Sequence, residues 1–480
     1  MKSLLLTLIL ASVSIDAMSF NDWETAIAAM NEMSIPLINI DVNVITLNKE
    51  QYIPGKITIY DTSKRIDGEI CNTFDCKIKF RGASSLKYEK KSFAVKLLNS
   101  VGNDLDVNIF NIRKENDWIL DAMTTDRIRM RNRVCFDIWN EISKTPYPTV
   151  FDNRNGTKGE YIELYLNGTY HGLYCMSDKI DRKLLGLKKV KENTDETVTI
   201  RGVLYKGTAW SAATQFAGYD QEENMESDTW NGWELQYPDD YPCYEAWHPI
   251  QNIIDCCKQD LKTFENGYRN HFYTDNLTDY MIFLMSLNII DNNMKNTHLS
   301  CPNIQEEQMF LITPWDLDCS LGGLYDGSRY EEYTTLSNLI NNRIYYFLYN
   351  GNVNEFQNDL KRKWSELSSN ILTKENVFRR LDKYAEKLKE SGAWQREYDK
   401  WNNNPVPLNL DEELQYVKKW YARNIIALDK IFQTDTYIKD ISTVSNKKKT
   451  DTYTLDGIKR GIYGNTACYI IGNKKVIIKR

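Results

Sequence analysis

Asn276-Leu-Thr-Asp-Tyr-Met-Ile-Phe-Leu-Met-Ser-Leu-Asn-Ile-Ile-Asp-Asn-Asn-Met-Lys-Asn296 opens the stretch that decides the fold, and Met309-Phe-Leu-Ile-Thr-Pro-Trp-Asp-Leu-Asp318 closes it. Leu277, Tyr280, Met281, Leu284 and Leu287 recur at the spacing of one helix face, so the stretch begins as a helix. That pattern breaks at Asp291-Asn-Asn-Met-Lys-Asn296, a polar loop. Thr297 to Ser300 reads as a strand, Cys301 to Glu307 as a turn, and Met309 to Ile312 as a second, apolar strand. Pro314-Trp-Asp-Leu-Asp318 is a second loop bearing carboxylates. A hairpin of this kind returns both polar loops to the same end of the sheet. Asp291, Asn296, Asp316 and Asp318 then surround one small volume.

Those residue types suit a particular chemistry. A carboxylate free of metal orients and deprotonates a hydroxyl, while an amide oxygen and a second carboxylate suit Mg²⁺, a hard cation that takes oxygen ligands. Protein kinases set a base Asp, an Asn five residues later and a metal-binding Asp after a hairpin in this order. Here Asn296 also follows Asp291 by five residues. The same residues are common helix-ending and turn residues, so the stretch alone leaves an ordinary structural reading open.

A second hairpin lies upstream. Cys76-Lys-Ile-Lys-Phe80 alternates as a strand, Arg81-Gly-Ala-Ser-Ser85 is a loop, and Lys90-Lys-Ser-Phe-Ala-Val-Lys-Leu97 returns with Phe93, Val95, Leu97 and Lys91 on one face. A glycine-containing loop brings backbone N–H groups to a phosphate, and a lysine on the next strand reaches it. A plain surface hairpin with solvated lysines has the same pattern.

The remaining chain supplies the frame. Asn21 to Met33 reads as a short helix, followed by strands over 36–40 and 52–60. The spacing predicts a helix over 126–142, with Arg131 and Asn132 interrupting its packable face. Strands at 160–166 and 169–175 flank Asn167-Gly168, a type I′ turn signal. A helix is expected to open at Ser177-Asp-Lys-Ile-Asp181, and a strand at 202–206. Residues 207–250, rich in Trp, Tyr, Asp and Glu, read as an insertion or lid. Helices follow at 249–267, 354–368, 374–390 and 411–432, then a polar Lys-rich linker and a few short strands.

Composition bounds the function. The 480-residue chain is 42% hydrophobic and 26% charged, with 60 Lys+Arg against 66 Asp+Glu. A net charge of -6 argues against a bulk nucleic-acid binder. Residues 1–17 have the positive start, short apolar run and small terminal residue of a signal peptide, and no later segment has the length of a transmembrane helix. The expected location is therefore secreted or cell surface. Ten cysteines and only four histidines offer no zinc spacing, and buried thiols with at most one or two bridges are expected. Asn155, Asn167 and Asn276 each begin an Asn-X-Thr acceptor triplet.

The ordered set Arg81-Gly-Ala-Ser-Ser85, Lys90 to Lys96, Trp118-Ile-Leu, Arg131-Asn132, Leu164 to Tyr174, Leu204-Tyr-Lys206, Asp291 with Asn296, and Pro314 to Asp318 resembles the spore coat protein H (CotH) kinase-like family over roughly 36–432. The resemblance implies an α+β, atypical protein-kinase-like core with mixed β-sheets and a helical C-terminal lobe. It implies transfer of the ATP γ-phosphoryl group to Ser or Thr of a protein substrate, with Mg²⁺, or Mn²⁺, as cofactor. Carried over by motif, Asp291 would be the catalytic base, and Asn296, Asp316 and Asp318 the metal ligands. Arg81, Ser84 and Lys91, with Lys90 as the alternative, would contact phosphate. Ala83 departs from the family's Asn in that loop, and Asp178-Lys179 stands where Glu-Lys is usual. The tail from Tyr453 resembles a sorting domain of type IX secretion substrates. The implied order is a signal peptide (1–17), core (18–345), helical lobe (346–435), linker (436–452) and small β-rich tail (453–480). An exported surface adhesin or invasin, keeping the fold without catalysis, is the competing reading, because ATP is scarce outside cells.

Overall fold

The computed structural model describes residues 22–31, 34–219, 226–293, 295–338 and 341–432, together with the backbone of strands Thr452–Tyr453, Thr466–Ile471 and Lys474–Lys479. The signal-like segment 1–17 and the linker lie outside the described residues. Chain contacts divide the molecule into two units, one ending at Leu428 and one running from Asp429. In the second unit the three tail strands pair antiparallel in chain order.

Alternation in the N-terminal strands has a single cause: one face of each must be dry. Seven strands, β1 (Leu37–Val42), β2 (Ile53–Tyr60), β3 (Cys71–Arg81), β4 (Ser92–Leu98), β5 (Asp117–Asp121), β6 (Gly159–Leu166) and β7 (Thr169–Ser177), close into a barrel in the order β1-β2-β3-β4-β5-β7-β6. Parallel pairing of β1 with β6, Leu37 against Glu163 through Ile40 against Leu166, closes the ring. Closure leaves no unpaired edge, and inward residues such as Ile57, Ile78, Val95, Trp118 and Leu164 fill the interior. Asn167 and Gly168 both take positive φ, +49° and +75°, as a type I′ turn requires. The Asn167 amide bonds both the N–H and the C=O of Val42, tying the hairpin to β1.

A second, five-stranded antiparallel sheet follows. It consists of β8 (Val203–Gly207), β9 (Thr229–Trp230), β10 (Trp233–Tyr237), β11 (Thr297–Cys301) and β12 (Leu311–Pro314), in the order β9-β10-β8-β11-β12. Helix α1 (Arg131–Ile142) precedes it in the chain, and α2 (Tyr244–Lys258) and α3 (Thr274–Leu287) interrupt it. Tyr205 of β8 stacks on Trp247 of α2 at 5.6 Å, and Trp139 of α1 packs on Phe283 of α3 at 4.9 Å. The C-terminal helices are α4 (Phe356–Ser368), α5 (Lys374–Glu390), α6 (Ala393–Trp401) and α7 (Leu410–Phe432). The class is thus α+β.

Several expectations need correction. The helix expected over 126–142 starts at Arg131, because the Asp126 carboxylate accepts the N–H groups of Met130 and Arg131 at 2.7 Å each and holds the preceding chain as a loop. No helix opens at Ser177. Asp178 is fully buried there, bound to Arg154 at 2.9 Å and Arg113 at 3.2 Å. Within residues 207–250, expected as an insertion or lid, the described residues form β9, β10 and the start of α2. Helix α6 was not anticipated. Asn155 and Asn276 are buried, and both amides donate to Ser143 Oγ and the Ile312 carbonyl, so neither is an available acceptor triplet. Among the described residues nine cysteines are free thiols, and no helix is long and apolar enough to cross a membrane.

Candidate active site

A cleft of about 560 Å³ opens between the barrel and the second sheet. The barrel contributes Arg81, Gly82, Ala83, Ser84, Ser85 and Asp121, and the sheet's loops contribute Asp291, Lys295, Asn296, Asp316 and Asp318. Six sequence-derived candidates therefore share one cleft: Arg81, Ser84, Asp291, Asn296, Asp316 and Asp318.

The α3 helix ends because Asn288 turns left-handed (φ +53°), its N–H reaching Leu284 O. One 3-10 turn then presents Asp291, which pairs with Lys295 at 3.1 Å. Asn296 and Asp316 also take positive φ, +54° and +58°, conformations uncommon for residues with a side chain. What holds them is Asn292. Fully buried, it donates its amide to both Asn296 O and Trp315 O at 2.6 Å, clamping the two polar loops together. The Asn296 N–H bonds Gly207 O at 2.8 Å, and the Trp315 N–H bonds Asn296 O at 2.8 Å. Strain at the two positions is thus over-determined by the surrounding hydrogen bonds.

Across the cleft, Asn132 has a definable task. Its amide donates to Asp121 Oδ2 at 3.0 Å and accepts the Leu317 N–H at 3.1 Å. It joins a barrel strand to the Asp316 loop. Thr125 Oγ1 donates to Asp318 Oδ2 at 3.3 Å from the segment before α1.

Electrostatics in the cleft is dominated by crowded carboxylates. Asp316 is exposed on the cleft, where other carboxylates crowd it. Burial raises its pKa; Arg81 opposes this, and Asp121 and Asp291 add to it. Asp318 is pushed well up by burial and then by Asp316 and Asp121. Crowding of this kind is relieved by a cation. Asp316, Asp318 and Asn296 supply oxygen donors, which is the set a hard divalent cation takes. Among the described residues no three His, Cys, Asp or Glu side chains form a metal cage by themselves. Mg²⁺ is usually held by one or two carboxylates with water and substrate phosphates.

The 81–85 loop is shaped by Gly82, at φ +119°, where a Cβ would lie 2.3 Å from Ser85 Oγ. Ser84 then opens a 3-10 turn, Ser84–Lys87. Lys91 does not line the cleft: its Nζ donates to the Leu86 carbonyl at 2.6 Å and to the Tyr88 carbonyl, capping that turn. Lys90 is sealed inside, donating to Leu173 O and Glu397 Oε1 at 2.6 Å each. Burial lowers its pKa to about 7.

Sequence reasoning missed Asp121 and Thr125 in the cleft, and Glu397 as the partner that seals Lys90. Asp121 was visible only as the end of Trp118-Ile-Leu-Asp, with nothing to say which way it faced. Glu397 was one of many glutamates in a helical region.

An α+β chain in which an Asp-Asn loop and an Asp-Leu-Asp loop converge on one cleft beside a serine-bearing glycine loop is a kinase-like protein. Its residues 78–425 match the family model described as CotH kinase protein, and the chain belongs to that family. A search among curated proteins finds no match.

Proposed function

We propose that the chain is an exported atypical protein kinase that transfers the ATP γ-phosphoryl group to Ser or Thr of a protein. The observation carrying this reading is the convergence of Asp291, Asn296, Asp316 and Asp318 with Arg81 and Ser84 on one cleft. Asn296, Asp316 and Asp318 would hold Mg²⁺ or Mn²⁺, which neutralises charge on the transferring phosphates. Asp291 aligns the acceptor hydroxyl. As the new P–O bond forms and the bond to ADP breaks, Asp291 takes the hydroxyl proton. Lys295 remains beside it as a counter-ion. Asn292 and Asn132 keep the two polar loops in register. Export and surface attachment rest on the signal-like residues 1–17 and on the tail's likeness to a sorting domain.

The test is transfer from γ-labelled ATP, with Mg²⁺ or Mn²⁺, by the wild-type chain beside Asp291→Asn and Asp316→Asn. Labelling of the chain or an acceptor, reduced at least about a thousand-fold in both variants, is expected. Absence of transfer and of metal-dependent nucleotide binding would leave the adhesin reading.

A further inference from the structure

A second groove, of about 680 Å³, shares no residue with the cleft. It lies where α6, the loop 402–409, the start of α7 and Lys389 of α5 meet. Trp394 and Tyr398, one helical turn apart on α6, line it together with Asn402, Asn403 and Pro407. Trp394 is only 8% exposed, yet among the described residues its indole N–H has no hydrogen-bond partner, and nor has the Tyr398 hydroxyl. The Asn402 amide oxygen accepts the Leu408 N–H at 2.9 Å, which leaves its NH₂ group to face the groove's contents. Charges at the rim are already paired, Asp411 with Lys389 at 2.5 Å and Glu412 with Arg329 at 2.8 Å.

We infer that this groove binds a proline-rich segment of a partner protein, held in the polyproline II conformation. The unpaired donors select that ligand. An indole N–H only donates, and the Asn402 amide offers donors alone once its oxygen is engaged. The matching ligand brings acceptors without donors. Prolyl residues do so: each has a carbonyl and no N–H, and polyproline II leaves its carbonyls without internal partners. A saccharide hydroxyl brings a donor with every acceptor. An anion meets no free cation here, and Asp411 and Glu412, with side chains 75% and 61% exposed, repel it. The same two carboxylates favour an Arg or Lys beside the prolines. Aromatic side chains such as Trp394 and Tyr398 are what prolyl rings dock against. The loop wall is already ordered, since Asn404 Nδ2 donates to Glu89 Oε2 at 2.8 Å and the Asn403 N–H to the Val406 carbonyl at 3.0 Å, so little freedom is lost on binding. The last proline of the chain is Pro407, so the segment beyond α7 is not the occupant and the ligand comes from another molecule. The inference does not depend on the kinase reading.

The test is fluorescence anisotropy on the full chain with four labelled synthetic probes: Pro-x-x-Pro decapeptides flanked by Arg, the same set flanked by Glu, a Gly-Ser decapeptide and a neutral hexasaccharide. Saturable binding of Arg-flanked peptides is expected, with the Glu-flanked set weaker and the Gly-Ser peptide and the sugar unbound. Tyr398→Ala should weaken peptide binding at least about 10-fold, and Trp394→Phe, which keeps a ring and removes the N–H, about 3- to 10-fold. Tyr244→Ala, at an exposed tyrosine outside the groove, should leave it unchanged. Circular dichroism checks that each variant folds, and Tyr398, 39% exposed, can be truncated without opening the core. A wild type that binds none of the proline peptides would overturn the assignment, as would one that binds the Gly-Ser peptide equally well. So would wild-type peptide affinity in folded Tyr398→Ala. Binding of the hexasaccharide in place of the peptides would also overturn it and make the groove a glycan site.

Discussion

Two charge clusters in this molecule have the same electrostatic problem and opposite fates. In one, Lys90 and Arg129 share a single carboxylate, Glu397, and all three side chains are fully sealed. In the other, Asp121, Asp291, Asp316 and Asp318 crowd the cleft with Arg81, Lys206 and Lys295 as the nearby cations. Each carries an excess of one sign. The sealed cluster relieves it only by moving a proton: burial first, and then Arg129, lower the Lys90 pKa to about 7. The open cluster can be relieved by a ligand. Access therefore separates structure from function here: charge imbalance that solvent and ligand cannot reach makes a fastener, and the same imbalance beside a cleft makes a site.

The largest effect should come from breaking the fastener. Glu397 also accepts the Leu173 N–H at 2.8 Å, and Arg129 Nη1 donates to the carbonyls of Met123, Thr124 and Asp126, which line the cleft. Glu397→Ala leaves two cations buried without a counter-charge and should cost about 3–5 kcal/mol in urea unfolding. A loss below about 1 kcal/mol would mean that the cluster is already solvated.

In the open cluster the sign is reversed. Asp316 and Asp318 have folded pKa values above their usual ones, so the folded chain binds more protons than the unfolded chain between about pH 4 and the raised values. Metal-free stability should therefore fall as pH rises through that window. Asp316→Asn removes part of the repulsion, so its metal-free melting temperature at pH 7 should equal or exceed that of wild type. Mg²⁺ should raise the wild-type melting temperature more at pH 8 than at pH 5, and should raise that of Asp316→Asn little. A variant that melts well below wild type without metal would refute burial and crowding as the source of the raised pKa.

The contrast also explains what could be read beforehand. The two polar loops were legible because helix period, strand alternation and the Asp-Asn spacing are local signals, and Asn167-Gly168 announced its turn outright. The barrel was not legible: its closing contact pairs Leu37 with Glu163, 126 residues on, and nothing in either strand names its partner. Lys90 and Lys91 show the same limit at a single step. Adjacent in sequence, they belong to different environments, and only Glu397, 307 residues away, decides which one is sealed. Lys206 was noticed within Leu204-Tyr-Lys206, but its place over Trp315 depends on how β8 pairs with β11.

Lys90 permits a pH measurement on the fastener itself. Its folded pKa is about 7 against an ordinary 10.5, so between these values the unfolded chain binds more protons. Stability should rise with pH across that window, by up to about 1.4 kcal/mol per unit. Lys90→Met should remove this component of the slope, which is best read as the difference between the two chains, because tyrosines buried in the fold titrate near its upper end once the chain unfolds. An identical slope in both chains would mean that Lys90 stays protonated on Glu397.

The smallest effect is expected one residue along. Lys91 is half-buried, and its ammonium serves two carbonyls of a single turn at the cleft rim. Water can replace both contacts when the side chain is removed, so Lys91→Ala should cost only about 1 kcal/mol. The change should be local: amide exchange should quicken over Ser84–Lys87, while the barrel and α6 keep their protection. Transfer should slow only as far as the turn loses its shape. If Lys91→Ala instead abolished nucleotide binding while exchange in that turn stayed at the wild-type rate, the ammonium would be acting on the ligand and not on the loop. The division between sealed fastener and open site would then have to be redrawn to place Lys91 in the site.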